Sequence, residues 1–389
     1  MKGKCNIVEL FDNAKKNETY LKVCAPMVRY SKVQFRTLVR SYGVDLCFTP
    51  MIMADSFCQN EKARMNEFST TITDTPLILQ FAAKNVDDFV DAAKLIHPYA
   101  DGVDLNCGCP QRWAMKDGYG CALLSKPEVV SELVRGIRNN LPDNFSVSVK
   151  IRISRILKKT IDMCRQLEQC GVTFLTVHGR TPEQTCNDSV NTQALKDVSE
   201  SISIPVIANG GVKTLANADR LHLETNCGGV MAASGILTNP TLFSGTNQTS
   251  LSCVKYWMDM KNLQPDKITF QCYHHHLVFM LEKILSKQQK QIFNYLSDFE
   301  SVDSFLFDNL ISSVVDKKPK CNLDEFVACQ FADEILLKHS SKCRGCGRSM
   351  YYCVCSSYDY NAIDGAFFRS CVTTDEDVFI DSNLFIEPS

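Results

Sequence analysis

The stretch Asp101-Gly-Val-Asp-Leu-Asn-Cys-Gly-Cys-Pro110 decides the fold. Gly102 to Cys107 reads as a short buried strand, closed by a tight Cys-Gly-Cys-Pro loop. Side chains alternate along a strand, so Asp104 and Asn106 share one face. Gly108 lets a ligand approach the backbone closely. Pro110 biases Cys109 away from helical angles and holds its thiol in an extended turn. A polar amide and a fixed thiol therefore stand at the C-terminal end of a strand. Enzymes built on parallel strands place their chemistry there.

Outward from that stretch, eight short apolar runs are bounded by turn residues: 21–27, 46–52, 77–83, 102–107, 146–153, 173–179, 205–211 and 228–234. Helix-like segments lie near 31–42, 85–97, 126–140, 155–170, 190–200 and 214–225, and the fit is loosest between the second and third strands. This alternation predicts parallel βα units, and eight of them predict a closed (β/α)8 TIM barrel, an α/β fold. An open doubly wound sheet is the alternative. It usually shows a glycine-rich fingerprint after its first strand, and Ala25-Pro26-Met27-Val28 is not one.

Strand parity says more than strand number. Val147, Val149, Ile151 and Ile153 oppose Ser148, Lys150 and Arg152, and Leu175 and Val177 oppose Thr176, His178 and Arg180. Gln80, Asn106 and Asn209 stand near the ends of their strands. With the apolar faces packed on helices, the polar residues point into the barrel. A polar layer where branched apolar side chains usually fill the space calls for a polar ligand.

The totals bound the rest. At 389 residues the chain can bury a sizeable core, with 45% hydrophobic and 22% charged residues. No apolar run approaches a membrane span, and no secretory signal opens the sequence. Twenty scattered cysteines imply free thiols in a reducing compartment, cytoplasmic or nuclear. The net charge of −2 leaves room for nucleic-acid binding only as a local patch, because residues 316–389 carry 8 Lys+Arg against 12 Asp+Glu. Four divisions are expected: a loosely ordered 1–20, the barrel at 21–245, a helical domain at 250–315, and an acidic tail at 316–389. Beyond 250 the expected helices are 251–262, 268–297, 304–315 and 323–338, with Pro265 interrupting the first two.

Each motif has a plain structural reading beside the functional one. Most buried cysteines act as small hydrophobes, and Cys107 and Cys121 are assigned that part. The flanking Gly108 and Pro110 set Cys109 apart. A lone strand lysine is usually solvated at an edge, but Lys150 lies in the fifth of eight strands, and an inward cation needs an electron-rich partner. His178 shares its phase. Asn209-Gly210-Gly211 and Ala233-Ser234 follow the last two strands, where such barrels cradle phosphate. In the tail, Cys343, Cys346, Cys353 and Cys355 suggest either a structural zinc site or unliganded thiols. Adjacent His274, His275 and His276 do not share a helix face and make poor joint ligands.

Taken together, these residues resemble the tRNA-dihydrouridine synthases over roughly 20–300. The shared motifs are Ala-Pro-Met at 25–27, Leu-Gln-Phe at 79–81, Asp-Leu-Asn-Cys-Gly-Cys-Pro at 104–110 and Gly-Tyr-Gly-Cys-Ala-Leu-Leu at 118–124. They continue with Val-Lys-Ile-Arg at 149–152, Val-His-Gly-Arg-Thr at 177–181, Ala-Asn-Gly-Gly at 208–211 and Gly-Val-Met at 229–231. The wording is closest to the eukaryotic tRNA-dihydrouridine(20a/20b) synthases. The resemblance implies an FMN-binding TIM barrel followed by a helical tRNA-binding domain. By resemblance, Pro26, Met27, Val28, Gln80, Lys150, His178, Asn209, Gly210 and Gly211 hold FMN, with Ala233 and Ser234 over its phosphate. The family usually has Arg where this chain has Ser234, a change expected to weaken flavin retention. The tail is not part of the family pattern.

The activity implied is NADPH-dependent reduction of the C5=C6 bond of a flipped-out uridine in tRNA, by a monomer. Cys109 is the expected general acid, since a thiol with a pKa of roughly 8–9 is protonated yet able to donate. Asn106 orients the uracil, and Lys150 stabilises negative charge on the reduced ring. Arg112, Lys116, Arg152 and Arg180 are candidates for contacts to the uracil or its phosphates. Lys283, Lys287 and Lys290 face either the tRNA backbone or solvent. Two other functions stay open: an FMN reductase of a small molecule, and a flavin-less tRNA-binding protein.

Overall fold

The computed structural model describes residues 4–263, 267–311 and 326–339. Nine parallel strands run in chain order: β1 Leu21–Cys24, β2 Leu46–Phe48, β3 Ile52–Met53, β4 Leu77–Ala82, β5 Gly102–Cys107, β6 Ser146–Arg152, β7 Phe174–His178, β8 Val206–Asn209 and β9 Gly229–Ala232. Eight of them close a barrel, because β1 pairs with both β9 and β2, and β2 pairs with β4. β3 is the continuation of β2. Pro50 lacks an N–H and interrupts the strand, which then rejoins β4 through Ile52↔Phe81. Thr49 repairs the break, its N–H bonding to Ile78 O and its hydroxyl accepting from Gln80 N.

The expected strand phase is observed. Register pairs Gln80 with Asp104 and Asp104 with Ser148, then Asn106 with Lys150 and Lys150 with Thr176. A third row joins Arg152, His178 and Asn209. All nine are buried. Below this polar layer the barrel is filled by aromatic rings, with Phe48 and Phe174 centroids 6.4 Å apart.

Several elements differ from expectation. The N-terminal residues, expected to be loosely ordered, form the helix Ile7–Lys16, capped by the Asn6 side chain on Val8 N. Ile7, Phe11 and Ala14 recur at helical spacing and are buried, and Phe11 meets Phe174 at 5.5 Å. Between β3 and β4 lie two short helices, Ala54–Gln59 and Glu61–Glu67, where none was foreseen. The single helix expected over 268–297 is two, Phe270–Met280 and Lys287–Asn294. The second begins at a capping box between Ser286 and Gln289. The helix expected over 304–315 begins earlier, at Phe299 behind its cap Asp298, and continues as one π turn at Phe307–Ile311. Of the described residues 326–338, only Asp333–Lys338 is helical. Phe326 instead bridges Thr71, and Phe331 packs on Phe57 and Tyr99.

The helices after the barrel pack back on it. Leu251–Leu263 lies against Val33–Arg40, and Phe270–Met280 against Ser234–Thr238. At that seam His276 is stacked on Phe35 at 4.7 Å and lies 4.6 Å from the Trp257 ring.

Candidate active site

Parallel strands send their C-terminal ends to one mouth, and Gln80, Asn106, Lys150, His178 and Asn209 stand at or near those ends. Asn106, at the end of β5, uses its Oδ1 to accept from Gly108 N (3.1 Å) and Cys109 N (2.9 Å). The amide thus folds the loop after β5 over itself. Its Nδ2 donates to Gln80 Oε1 at 2.9 Å, and Gln80 Nε2 donates to Asp104 Oδ2 at 2.8 Å. Ser148 Oγ donates to the other Asp104 oxygen at 2.6 Å.

Cys109 is 1% exposed and forms no disulfide. It packs in a small apolar cluster with Ala82, Ala114 and Tyr119, edged by Met51, Met53 and Trp113. The segment Gly120–Ser125, a 3-10 helix, clamps the loop, with Cys121 N donating to Cys109 O at 2.9 Å. Gly120 sits at φ +59°, and a Cβ there would lie 2.5 Å from Cys109 O. Only glycine satisfies both demands. Cys121 Sγ donates to Gly108 O at 3.1 Å. Burial and the nearby Asp104 push the Cys107 thiol well up, keeping it neutral. Both have the structural role expected of them.

Lys150 and His178 project from β6 and β7 as their phase requires, Lys150 with only 3% exposure. His178 Nδ1 accepts from Arg180 N at 3.2 Å, so the proton of its neutral ring is on Nε2. Asn209 Nδ2 donates to Met231 O at 3.1 Å. Its buried Oδ1 meets no hydrogen-bond donor among the described residues. Gly210 and Gly211 follow at φ +120° and +71°, in a turn packed against Val190. Ala233 and Ser234 open the short helix Ser234–Thr238 after β9. Pro26, Met27 and Val28 lie in the turn after β1, closed by Met27 N on Ser31 Oγ at 2.9 Å.

The four basic candidates divide. Arg152 and Arg180 are buried, and the hydrogen bonds seen for them pin backbone. Arg152 holds Gly108 O and Thr181 O, and Arg180 holds Cys186 O and Asp188 O. Arg152 thereby ties the Cys109 loop to the loop after β7. Arg112 and Lys116 are exposed on the short helix Arg112–Lys116 beside Cys109. Cys343, Cys346, Cys353 and Cys355, expected as zinc ligands, lie outside the described residues. Among the described residues no cluster of His, Cys, Asp or Glu is built to hold a metal.

Sequence reasoning placed Asp104 on the right face but gave it no role. It also missed Gly120 as the clamp on Cys109, for which the Gly118-Tyr-Gly120 run was the only local signal. The Thr49 hydroxyl had none.

The family model described as Dihydrouridine synthase (Dus) matches residues 23–334. A Mus musculus protein named tRNA-dihydrouridine(20a/20b) synthase (NAD(P)+)-like is 50% identical over 290 residues, covering 74% of this chain and 89% of that one. Its Homo sapiens namesake is 48% identical, covering 74% and 90%. The tRNA-dihydrouridine(20a/20b) synthase (NAD(P)+) of Schizosaccharomyces pombe is 40% identical over 73% of this chain and 86% of its own length.

Proposed function

Because the chain belongs to the dihydrouridine synthase family, we propose that it reduces the C5=C6 bond of uridine in tRNA to 5,6-dihydrouridine at D-loop positions 20a/20b. It is an oxidoreductase drawing on NAD(P)H, with NADPH taken as the reductant. The observation that carries the mechanism is the convergence of Asn106 and Cys109 on one clamped loop at the barrel mouth.

The barrel fits a flavin mononucleotide. Asn209 Oδ1 is a buried acceptor awaiting a donor, and the Gly210-Gly211 turn brings bare backbone to the mouth beside it. Pro26, Met27, Val28, Gln80, Lys150, His178 and Asn209 would hold the ring system, and Gly210, Gly211, Ala233 and Ser234 the phosphate. FMN, when bound, would supply two-electron, hydride-transfer chemistry between NADPH and the uracil.

The protein supplies the rest. Cys109 Sγ delivers the proton to C5, so hydride and proton together saturate the double bond. Asn106 orients the uracil. The Met51, Met53 and Trp113 wall keeps water from the thiol. Lys150 places a buried cation where negative charge develops. Arg112 and Lys116, exposed on the short helix after β5, suit phosphate contacts, and Lys283 and Lys287, exposed in the helical region, with the partly exposed Lys290, offer further basic groups for the tRNA backbone. We place the enzyme in the cytoplasm or nucleus as a monomer. Among the described residues no helix is long and apolar enough to cross a membrane.

The test is the visible absorption of the purified protein with and without added FMN. Flavin bands that bleach with NADPH and return on adding uridine-containing tRNA are expected. Cys109→Ala is expected to keep the bands and the bleaching but to lose at least about 100-fold in tRNA reduction. A protein that takes up no flavin under any loading condition overturns the proposal.

A further inference from the structure

Asp104 is sealed inside the barrel at 0% exposure, and no step of the mechanism uses it. A carboxylate can only accept hydrogen bonds, and this one accepts from Ser148 Oγ at 2.6 Å and Gln80 Nε2 at 2.8 Å. Gln80 therefore has one direction open to it: Nε2 towards Asp104 and Oε1 away. Asn106 must then meet that oxygen with its own Nδ2, at 2.9 Å. Its Oδ1 is left for Gly108 N and Cys109 N. Two side-chain amides, each nearly symmetric in shape, receive a single polarity from one acid.

We propose that Asp104 is the positioning residue that sets the hydrogen-bond direction of the whole site. Asn106 spends one N–H inside the relay and keeps a second for a ligand. The relay thus makes the Asn106 amide a donor at the mouth while its oxygen holds the Cys109 loop. A donor suits uracil, which carries carbonyl oxygens at C2 and C4. Cytosine carries an amino group at C4 and offers a donor to a donor. A site built to donate rejects such a partner because its own buried N–H is left unpaired. If the relay ran backwards, an amide oxygen would face the uracil carbonyl and Asn106 Nδ2 would face the Cys109 N–H. This inference rests on the uridine-reducing function proposed above.

The experiment is the pH dependence of kcat for tRNA in Gln80→Glu and in the double variant Gln80→Glu/Asp104→Asn. The single change sets two carboxyl groups where an amide met a carboxylate at 2.8 Å, and the pair must hold a proton between them. With that proton present the introduced group donates to Asp104 and its second oxygen accepts from Asn106. With the proton gone the pair repels and the amide loses its bearing. The ratio of Gln80→Glu kcat to wild-type kcat, whatever its value at about pH 6, is expected to fall at least about tenfold further by about pH 8.5. In the double variant the introduced amide donates to the introduced carboxylate and accepts from Ser148, so the extra pH dependence should vanish.

Wild type is assayed first, with flavin absorbance recorded for each protein. A flavin-loaded wild type that does not reduce tRNA uridine overturns the function itself. An active wild type with a Gln80→Glu variant of the same pH profile overturns the relay alone. So does a Gln80→Glu variant that is inactive throughout and not restored by Asp104→Asn.

Discussion

At the scale of single residues, the site depends on backbone held by side chains. The Cys109 thiol is placed by the Asn106 oxygen on one side and the Gly120 segment on the other. Gly120→Ala must introduce a Cβ 2.5 Å from Cys109 O at a positive φ, so the loop must move. Displacements of about 1 Å in catalytic groups cost on the order of 100-fold in rate. Flavin-loaded Gly120→Ala is expected to lose activity on that order while its absorption spectrum stays that of wild type, as steady-state assay beside spectroscopy checks. The same scale separates Arg152 and Arg180 from Arg112 and Lys116. The first two are spent on carbonyl oxygens of two loops, so their substitution should loosen the mouth, whereas the second two are exposed.

At the scale of elements, two devices hold the first βα unit and the bottom of the barrel. The helix Val33–Arg40 is anchored by Arg36 and Arg40 on Asp74, whose side chain is fully buried before β4. Losing one partner of such a group strands buried charge. Asp74→Ala is therefore expected to lower stability by about 3–5 kcal/mol in urea unfolding, where Asp→Ala at an exposed site does little. The N-terminal helix closes the other end. Its polar composition hid an Ile7, Phe11, Ala14 stripe too short to stand out among lysines and asparagines, and only docking on Phe174 makes it stable. The two helices between β3 and β4 were illegible for a related reason. At six and seven residues they carry too few turns for a periodic signal.

At the scale of the molecule, the seam between barrel and helical region is where acid should act. Burial, with neighbouring His275, pushes His276 down to about 3. An unfolded histidine titrates near 6.5, so the folded state gains from keeping this ring neutral above that pH. As pH falls below about 6.5 the unfolded chain takes up a proton that the folded chain refuses, and stability declines. Between pH 7 and pH 5 this amounts to ~2 kcal/mol from His276. His275, itself lowered to about 4, adds to the slope. Urea midpoints measured across that range should fall with acidity, and fall less in His276→Leu.

The sequence by itself determined the eight-stranded barrel, because strand period and helix alternation are local patterns written in every run from Leu21 to Ala232. It determined which residues face inward, since parity along β5, β6 and β7 leaves no other choice for Asn106, Lys150 and His178. It carried the family as well, through motifs whose spacing survives reading without coordinates. Tertiary structure alone decided what those inward residues do to one another. Gln80, Asp104 and Ser148 lie on three strands, 24 and 44 residues apart, and only barrel closure sets them in one register row. Hydrogen-bond direction, the burial of Cys109 and the turning of Arg152 onto Gly108 are properties of such meetings. A local pattern can say which way a side chain points, but not what it will find there.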